Sequence, residues 1–142
     1  AGGRTVRVVV LGASGLIGGA VVRALLAGGQ EVRAVARGVA AARRREARPE
    51  WVRADLGRLD AAGWAGVVAG AVVVVNAAGA LQDGARDDLR RVHVEAVRGL
   101  LGALAGTQAR LVQVSAEGAA PDAATAFLRT KAEGDRLVMA SG

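Results

Sequence analysis

Short runs rich in β-branched residues alternate along the chain with segments whose apolar residues recur at helical spacing. The strands that this pattern predicts are residues 4–11, 31–36, 51–54, 71–75 and 110–114, and the helices are residues 16–27, 39–47, 59–69, 87–104 and 125–140. Regular alternation of strand and helix is typical of a parallel sheet covered by helices on both faces. We therefore predict an α/β fold with a doubly wound sheet of strand order 3-2-1-4-5.

Two segments carry the strongest signals of burial. Residues 71–75 form a continuous apolar run, which predicts a strand that is covered on both faces. The helix over 87–104 has an apolar stripe formed by Leu89, Val92, Ala96, Leu100 and Leu104. We expect a single domain over residues 1–142, and the helix at its end would ordinarily lead into another buried strand. A truncation before a substrate-binding part therefore stays open.

Composition narrows the classes of function. The chain has no cysteine, which excludes disulfides and thiolate chemistry, and no apolar run long enough for a signal peptide or a membrane span. These features lead us to expect a cytoplasmic protein without a membrane segment, and oligomerisation stays open. The net charge is +6, but only Arg43 to Arg45 with Arg48 form a cluster, and aromatics make up 2% of the chain. With so few stacking side chains, we do not expect a nucleic-acid partner.

A glycine-rich loop follows the first predicted strand and opens the first helix. It reads Gly12-Ala13-Ser14-Gly15-Leu16-Ile17-Gly18. In such a loop Gly12 permits the tight turn, Gly15 lets the backbone approach a pyrophosphate, and Gly18 lets the helix pack close to the sheet. The N-terminus of the helix then offers free N–H groups to the phosphates. This context predicts a Rossmann dinucleotide site, although a plain strand–helix turn is the alternative in a chain with 21 glycines.

The end of the second predicted strand indicates which dinucleotide is bound. Sites for NAD usually carry an acidic residue there, which accepts the 2′-hydroxyl of the ribose. This strand instead runs into Arg37, whose guanidinium can pair with a 2′-phosphate, with Ser14 and Arg43 as possible helpers. We therefore predict NADP, with NAD as the alternative. Asp55 and Leu56 follow the third strand and could contact the adenine, but Asp55 could equally cap the next helix.

Five features occur in order along the chain. They are the glycine loop, Asp55-Leu56, the stretch Asn76-Ala77-Ala78-Gly79, Ser115 after the fifth strand, and Lys131 four residues beyond an aromatic. Together they resemble an atypical or extended short-chain dehydrogenase/reductase. The likeness is to the NAD(P)-binding, epimerase-like members, which include relatives of the 39-kDa-type accessory subunit of respiratory complex I. It spans essentially the whole chain.

The resemblance implies roles for several residues. Asn76 to Gly79 would support the sheet and lie along the cofactor, Ser115 would hydrogen-bond a substrate carbonyl, and Lys131 would bind the nicotinamide ribose. Lys131 is the only lysine, and its alternative role is that of an exposed lysine paired with Asp135. The family's YxxxK motif also supplies a tyrosine as the proton donor. Phe127 stands at that position, and the chain contains no tyrosine.

The missing tyrosine leads to two main hypotheses. In the first, the chain binds a dinucleotide without standard dehydrogenase chemistry and has a regulatory or sensing role. In the second, it is an oxidoreductase or epimerase-like enzyme whose proton comes from Ser115, His93 or water, acting on a small molecule that the sequence does not identify. His93 is the only histidine and lies near the place where the family often has an asparagine. A nucleic-acid-binding domain is a third, weaker interpretation, and we predict no metal site.

Overall fold

A computed structural model describes residues 7–79, 89–116 and 119–141 of the chain. Within these ranges the strands are β1 (Val8–Leu11), β2 (Val32–Ala36), β3 (Glu50–Arg53), β4 (Val73–Asn76) and β5 (Arg110–Gln113). The helices are α1 (Leu16–Ala27), α2 (Ala40–Arg45), α3 (Ala61–Val68), α4 (Ala96–Leu104) and α5 (Ala126–Ala140). A 3-10 turn over Leu56–Arg58 precedes α3, and a π turn over Arg91–Glu95 precedes α4.

The five strands form one parallel sheet in the order β3-β2-β1-β4-β5. This order confirms the predicted doubly wound topology. Val8 is in register with Val32 of β2 on one side and with Val73 of β4 on the other. The chain therefore adds β2 and β3 on one side of β1 and then crosses back to add β4 and β5 on the other side. In parallel sheets of this kind, a crevice opens between β1 and β4 at the carboxyl ends of the strands.

The strand β1 divides the core into two layers because its side chains point alternately to opposite faces. Val9 and Leu11 pack with α3, including the buried Trp64, and with Leu100 of α4. Val8 and Val10 pack on the other face, beside Val22 of α1. Helices thus cover both faces of the sheet, as the sequence predicted. No helix in the described ranges is long and apolar enough to cross a bilayer.

Several predicted boundaries were wrong, each for a local reason. The strand predicted at residues 71–75 begins two residues later, because its pairing with β1 starts at Val73 and leaves Val72 43% exposed. The helix predicted at residues 59–69 begins at Ala61, since the carboxylate of Asp60 accepts the N–H of Gly63 at 2.7 Å and caps it. Asp55, the cap considered from sequence, makes no capping bond.

The long helix predicted over residues 87–104 is not continuous α-helix. Residues 87 and 88 lie outside the described ranges, residues 89 and 90 are helical, and the π turn follows before α4. The predicted apolar stripe is confirmed in part, since Leu89, Ala96 and Leu100 are buried whereas Val92 and Leu104 are half-buried. A π turn of this kind shifts the helical register by one residue and is often found at functional sites.

Candidate site at the carboxyl edge of the sheet

The glycine loop is held by close backbone contacts. Gly12 has a φ of +73°, and a Cβ there would lie 2.7 Å from the carbonyl oxygen of Ala77. Gly18 packs directly against the carbonyl of Gly12, so a Cβ on Gly18 would lie 2.7 Å from that carbonyl carbon. Glycine is therefore required at position 12 for both its conformation and the close approach of Ala77. At position 18 it is required for the close approach of Gly12.

Gly15 differs from the other two glycines of the motif. Its φ of −76° and ψ of 175° suit any residue, and a Cβ there would meet only the oxygen of Gly12, at 3.4 Å. The space in front of Gly15 is thus open. The first main-chain bond of α1 is donated by Gly19 to the oxygen of Gly15 at 2.8 Å, so the N–H groups of residues 16–18 have no acceptor within the helix. Free N–H groups at the N-terminus of a helix are a general site for anions such as phosphate.

The helix α1 also begins with two exposed apolar side chains. Leu16 is 91% exposed and Ile17 is 53% exposed, and the hydroxyl-bearing Ser14 next to them is exposed as well. Apolar side chains of this size are usually covered in folded proteins. They stand beside the free N–H groups, where a bound ligand could cover them.

The ends of β2 and β3 supply the residues predicted for the adenosine part. Arg37 directly follows β2, is exposed, and makes no hydrogen bond or ion pair within the described ranges. Asp55 follows β3, is exposed, and pairs with Arg58 at 3.2 Å. Leu56 packs into the core near Trp64 and is only 8% exposed, so little of its side chain is left to cover an adenine ring.

The stretch from Asn76 to Gly79 continues the end of β4. The amide of Asn76 is buried, donates to the side-chain oxygen of Gln113 at 2.8 Å, and accepts the N–H of Ala78 at 3.2 Å. Ala77 donates its N–H to the oxygen of Leu11 at 3.0 Å. Asn76 therefore ties the segment after β4 to β5, Ala77 ties it to β1, and Gly79 is exposed.

Ser115 and Lys131 both lie beside the carboxylate of Asp135, which was considered from sequence only as a surface partner of Lys131. The hydroxyl of Ser115 donates a short hydrogen bond to Oδ2 of Asp135, and Nζ of Lys131 lies 3.9 Å from Oδ1. Gln113 donates to the same Oδ1 at 3.1 Å, which links Asp135 to Asn76. Lys131 is 5% exposed, and burial lowers its pKa while Asp135 opposes that shift. The contact with Asp135 agrees with the alternative considered from sequence, but Lys131 is buried and not exposed as that alternative required. Its role at the nicotinamide ribose stays a prediction.

His93 lies in the π turn and packs against α5. Its ring meets that of Phe127 edge-on, with centroids 4.9 Å apart and an interplanar angle of 82°. Its Nδ1 lies 2.8 Å from the hydroxyl of Thr130. The side chain is 1% exposed, and burial together with the charge of Lys131 lowers the pKa of His93 to about 4. His93 is therefore a neutral imidazole at neutral pH.

These contacts define how the predicted site residues are arranged. The strand order places Asp55, Arg37, the glycine loop, Gly79 and Ser115 across one edge of the sheet. Sequence reasoning missed Gln113 and Thr130, whose partners lie 22 and 37 residues away in the chain.

A surface cavity of about 340 Å³ near Arg90 and Arg129 contains none of the predicted site residues. Within the described ranges, no group of three or more acidic or histidine side chains could hold a metal.

Comparison with known proteins places the chain in a family. The sequence model of the NAD-dependent epimerase/dehydratase family matches residues 8–137. The chain belongs to this family. The match agrees with the resemblance inferred from the motifs, because solved structures of the short-chain dehydrogenase/reductase superfamily share the fold. No curated protein sequence matches the chain.

Solved structures similar to this epimerase/dehydratase-family chain extend well beyond it. A short-chain dehydrogenase/reductase superfamily protein from Agrobacterium tumefaciens with bound NAD is 24% identical, with a TM-score of 0.78, over 93% of this chain and 44% of its own. A dTDP-glucose 4,6-dehydratase double mutant from Streptomyces venezuelae, with NAD bound, is 22% identical, with a TM-score of 0.79, over 94% and 51%. A short-chain dehydrogenase from Streptomyces avermitilis is 26% identical, with a TM-score of 0.77, over 95% and 59%. The chain thus spans about half the length of these structures.

Proposed function

We propose that the chain binds NADP(H) across the carboxyl edge of its sheet. The observation that carries this proposal is Arg37, which stands exposed and unpaired within the described ranges at the end of β2. A guanidinium there favours a 2′-phosphate, whereas a free 2′-hydroxyl would call for a carboxylate. The open space before Gly15 and the free N–H groups of residues 16–18 support a pyrophosphate in the middle of the same edge.

The choice between NADP and NAD depends on this one side chain. Four of the similar structures are described with NAD, which supports the binding of a dinucleotide but gives no support to a 2′-phosphate. The test is to titrate NADPH and NADH by fluorescence, with Arg37→Ala and, as a matched loss of charge on exposed α2, Arg44→Ala. We expect NADPH to bind more tightly, Arg37→Ala to remove that preference, and Arg44→Ala to keep it. Added salt should weaken the binding of NADPH.

Equal affinities of the wild type for the two nucleotides would contradict the assignment to NADP. So would a preference that Arg37→Ala leaves unchanged. Loss of the preference in Arg44→Ala would instead assign the 2′-phosphate to α2. Each of these outcomes is read from the ratio of two dissociation constants for the same variant, so a small difference in folding cancels.

The same proposal includes a role without standard carbonyl reduction, as a cofactor-binding, regulatory or sensing protein. Proton donation to a developing alkoxide needs an ionisable group beside the carbonyl. Phe127 has none, and its ring is packed edge-on against His93. His93 is itself a poor acid, since its pKa of about 4 leaves it unprotonated at neutral pH.

A second candidate function, an NADPH-dependent oxidoreductase or epimerase-like enzyme, is favoured by one observation. The hydroxyl of Ser115 donates to Asp135, and Lys131 lies beside the same carboxylate. Ser115 could then pass its proton to the alkoxide that hydride transfer forms on a carbonyl, and regain one from water. Sugar nucleotides should be included among the trial substrates, because one similar structure is MoeE5 in complex with UDP-glucose and NAD.

The activity test compares the wild type with Ser115→Ala and Phe127→Tyr. Oxidation of NADPH is followed with aldehydes, ketones and quinones. Reduction of NADP⁺ is followed with UDP-glucose, which has hydroxyl groups to oxidise and no free carbonyl to reduce. We expect no turnover above background for the wild type, and at most weak turnover for Phe127→Tyr, which places a tyrosine one helical turn before Lys131. Robust wild-type turnover that Ser115→Ala abolishes would overturn the non-catalytic role and identify Ser115 as the donor.

A further inference from the structure

His93 carries a buried polar atom without a partner. Its Nε2 is inaccessible to solvent and makes no hydrogen bond to any residue that the structure describes. Leaving a buried acceptor without a donor costs about 1–3 kcal/mol, so native proteins almost always satisfy such atoms with protein, water or ligand. Ser115 and Asn76, which share this region, do have hydrogen-bond partners in the protein. Among the described residues, Nε2 of His93 is the buried side-chain atom that has none.

We assign the tautomer of the ring from the hydrogen bonds around it. The hydroxyl of Thr130 lies 2.8 Å from the carbonyl oxygen of Ala126, one turn earlier in α5, and we assign its proton to that bond. In this assignment the hydroxyl accepts from Nδ1 of His93, which carries the hydrogen. The neutral imidazole therefore presents Nε2 as a bare acceptor. The nearby charge of Lys131 disfavours a second proton, so the matching ligand group is a neutral donor and not a cation.

Gly79 lies beside Nε2. A Cβ built on Gly79 would lie 3.6 Å from Nε2 and, apart from its chain neighbours, would meet no other described atom within 4 Å, so the missing side chain leaves a methyl-sized space there. Gly79 is exposed, whereas Nε2 is not reached by water. A small donor group of a ligand lying along Asn76 to Gly79 would therefore enter this space by a small local movement and so reach Nε2.

The position of this space along the sheet indicates which part of a dinucleotide would reach it. Gly79 follows β4, whereas Arg37 and Asp55 follow β2 and β3 on the other side of β1. If Arg37 holds the 2′-phosphate of the adenosine, the nicotinamide half extends toward β4 and β5. That half offers ribose hydroxyls and a carboxamide N–H₂, which are all neutral donors.

We propose that His93 Nε2 accepts a hydrogen bond from a hydroxyl or amide group of the nicotinamide half of the cofactor, reached through the space at Gly79. This role rests on the proposed binding of NADP(H) and adds a contact in the half of the cofactor opposite Arg37. It also explains the buried Nε2 of His93 without requiring this residue to transfer a proton.

The sole histidine of the chain makes the test specific. The protein is labelled with ¹⁵N-histidine, and the Nε2 resonance is followed as NADP⁺, nicotinamide mononucleotide or 2′,5′-ADP is added. We expect Nε2 to resonate as a bare acceptor in the free protein and to shift upfield with NADP⁺ and with the mononucleotide. We expect no shift with 2′,5′-ADP, which lacks the nicotinamide half.

The half-ligands separate failure of this inference from failure of the proposed function. If 2′,5′-ADP and NADP⁺ both bind and Nε2 does not move, cofactor binding stands and the role of His93 is refuted. If neither ligand binds, the proposed function fails and the role of His93 fails with it. An Nε2 resonance already in the hydrogen-bonded range of the free protein, and unmoved by NADP⁺, would assign a buried water to the position and also refute the contact.

Two variants test the contact by affinity. Gly79→Ala places a methyl group in front of Nε2 without any steric conflict among the described atoms, and His93→Phe removes the acceptor while keeping an aromatic ring against Phe127. Loss of one neutral hydrogen bond should weaken NADPH binding by up to about tenfold. Binding of 2′,5′-ADP should stay unchanged in both variants. Wild-type affinity of Gly79→Ala for NADPH would contradict the proposal even if His93→Phe were unstable.

Discussion

A substitution at Gly15 should weaken nucleotide binding far more than it changes the free energy of unfolding. In Gly15→Val the new side chain enters the space before the free N–H groups of α1. The backbone at Gly15 is extended, which suits a β-branched residue, and the only near atom is the oxygen of Gly12 at 3.4 Å. Valine is a poorer N-cap than glycine, but it also restricts the unfolded chain, and each effect is about 0.5–1 kcal/mol. Because they oppose each other, the free energy of unfolding should change by less than about 1 kcal/mol.

The loss of binding should be much larger. A charge-assisted hydrogen bond contributes about 1.5–3 kcal/mol, and a valine that displaces the pyrophosphate breaks at least one or two of them. A loss of about 3 kcal/mol corresponds to roughly a hundredfold rise in the dissociation constant. Calorimetric titration with NADPH measures the affinity, and urea unfolding followed by tryptophan fluorescence measures the stability. Wild-type affinity in a folded Gly15→Val protein would mean that the loop is only a turn.

Gly18→Ala is the matched control with the opposite expectation. Its Cβ would lie 2.7 Å from the carbonyl carbon of Gly12 and 3.1 Å from the Cα of Ala13. Gly12 cannot move away, because it is itself pressed against Ala77 and Ala78. Overpacking of this kind costs about 1–3 kcal/mol, so Gly18→Ala should lower the free energy of unfolding where Gly15→Val does not. If both variants were equally stable, the assignment of the two glycines to different tasks would be wrong.

Two further predictions concern stability around His93. Gly134→Ala should destabilise by about 1–3 kcal/mol because its Cβ would overlap the carbonyl of His93, whereas Gly102→Ala, with nothing within 4 Å, should stabilise α4 by up to about 1 kcal/mol. Similar unfolding midpoints in urea for these two variants would refute the close packing. The lowered pKa of His93 should make the folded state lose up to about 3 kcal/mol as the pH falls from 6.5 to about 4, since the unfolded chain takes up the proton first. His93→Gln should lack that part of the pH dependence, and an unchanged profile would show that another group causes it.

The sheet order and the glycine loop could be predicted because both leave local signals. Alternating strands and helices imply a parallel sheet, and the spacing of Gly12, Gly15 and Gly18 matches a turn into a helix. The exact start of β4 could not be predicted from its apolar run, since residues 71–75 are all apolar and only pairing with β1 decides which of them join the sheet. The start of α3 was missed because Asp60 caps the helix, whereas only Asp55 was considered as the cap from sequence.

The polar contacts of the candidate site were harder to predict than its residue types. Asp135 was noticed as a neighbour of Lys131 on one helix, but its bonds to Gln113 and Ser115 depend on how α5 packs beside β5. The orientation of His93 depends on the π turn, and apolar periodicity cannot reveal a shift of one residue inside a helix. Both features arise from tertiary packing, which leaves no mark on the local sequence.

The strand order has a consequence for how a long ligand would be held. Arg37 belongs to the β2–β3 half of the sheet, whereas Gly79, Ser115 and Lys131 belong to the half that begins with β4. A dinucleotide that spans the two halves is a bivalent ligand, and once one end is bound the other meets its subsite at an effective concentration set by the pyrophosphate tether. Each end can then bind weakly, and either half alone should dissociate rapidly even when the whole molecule is retained.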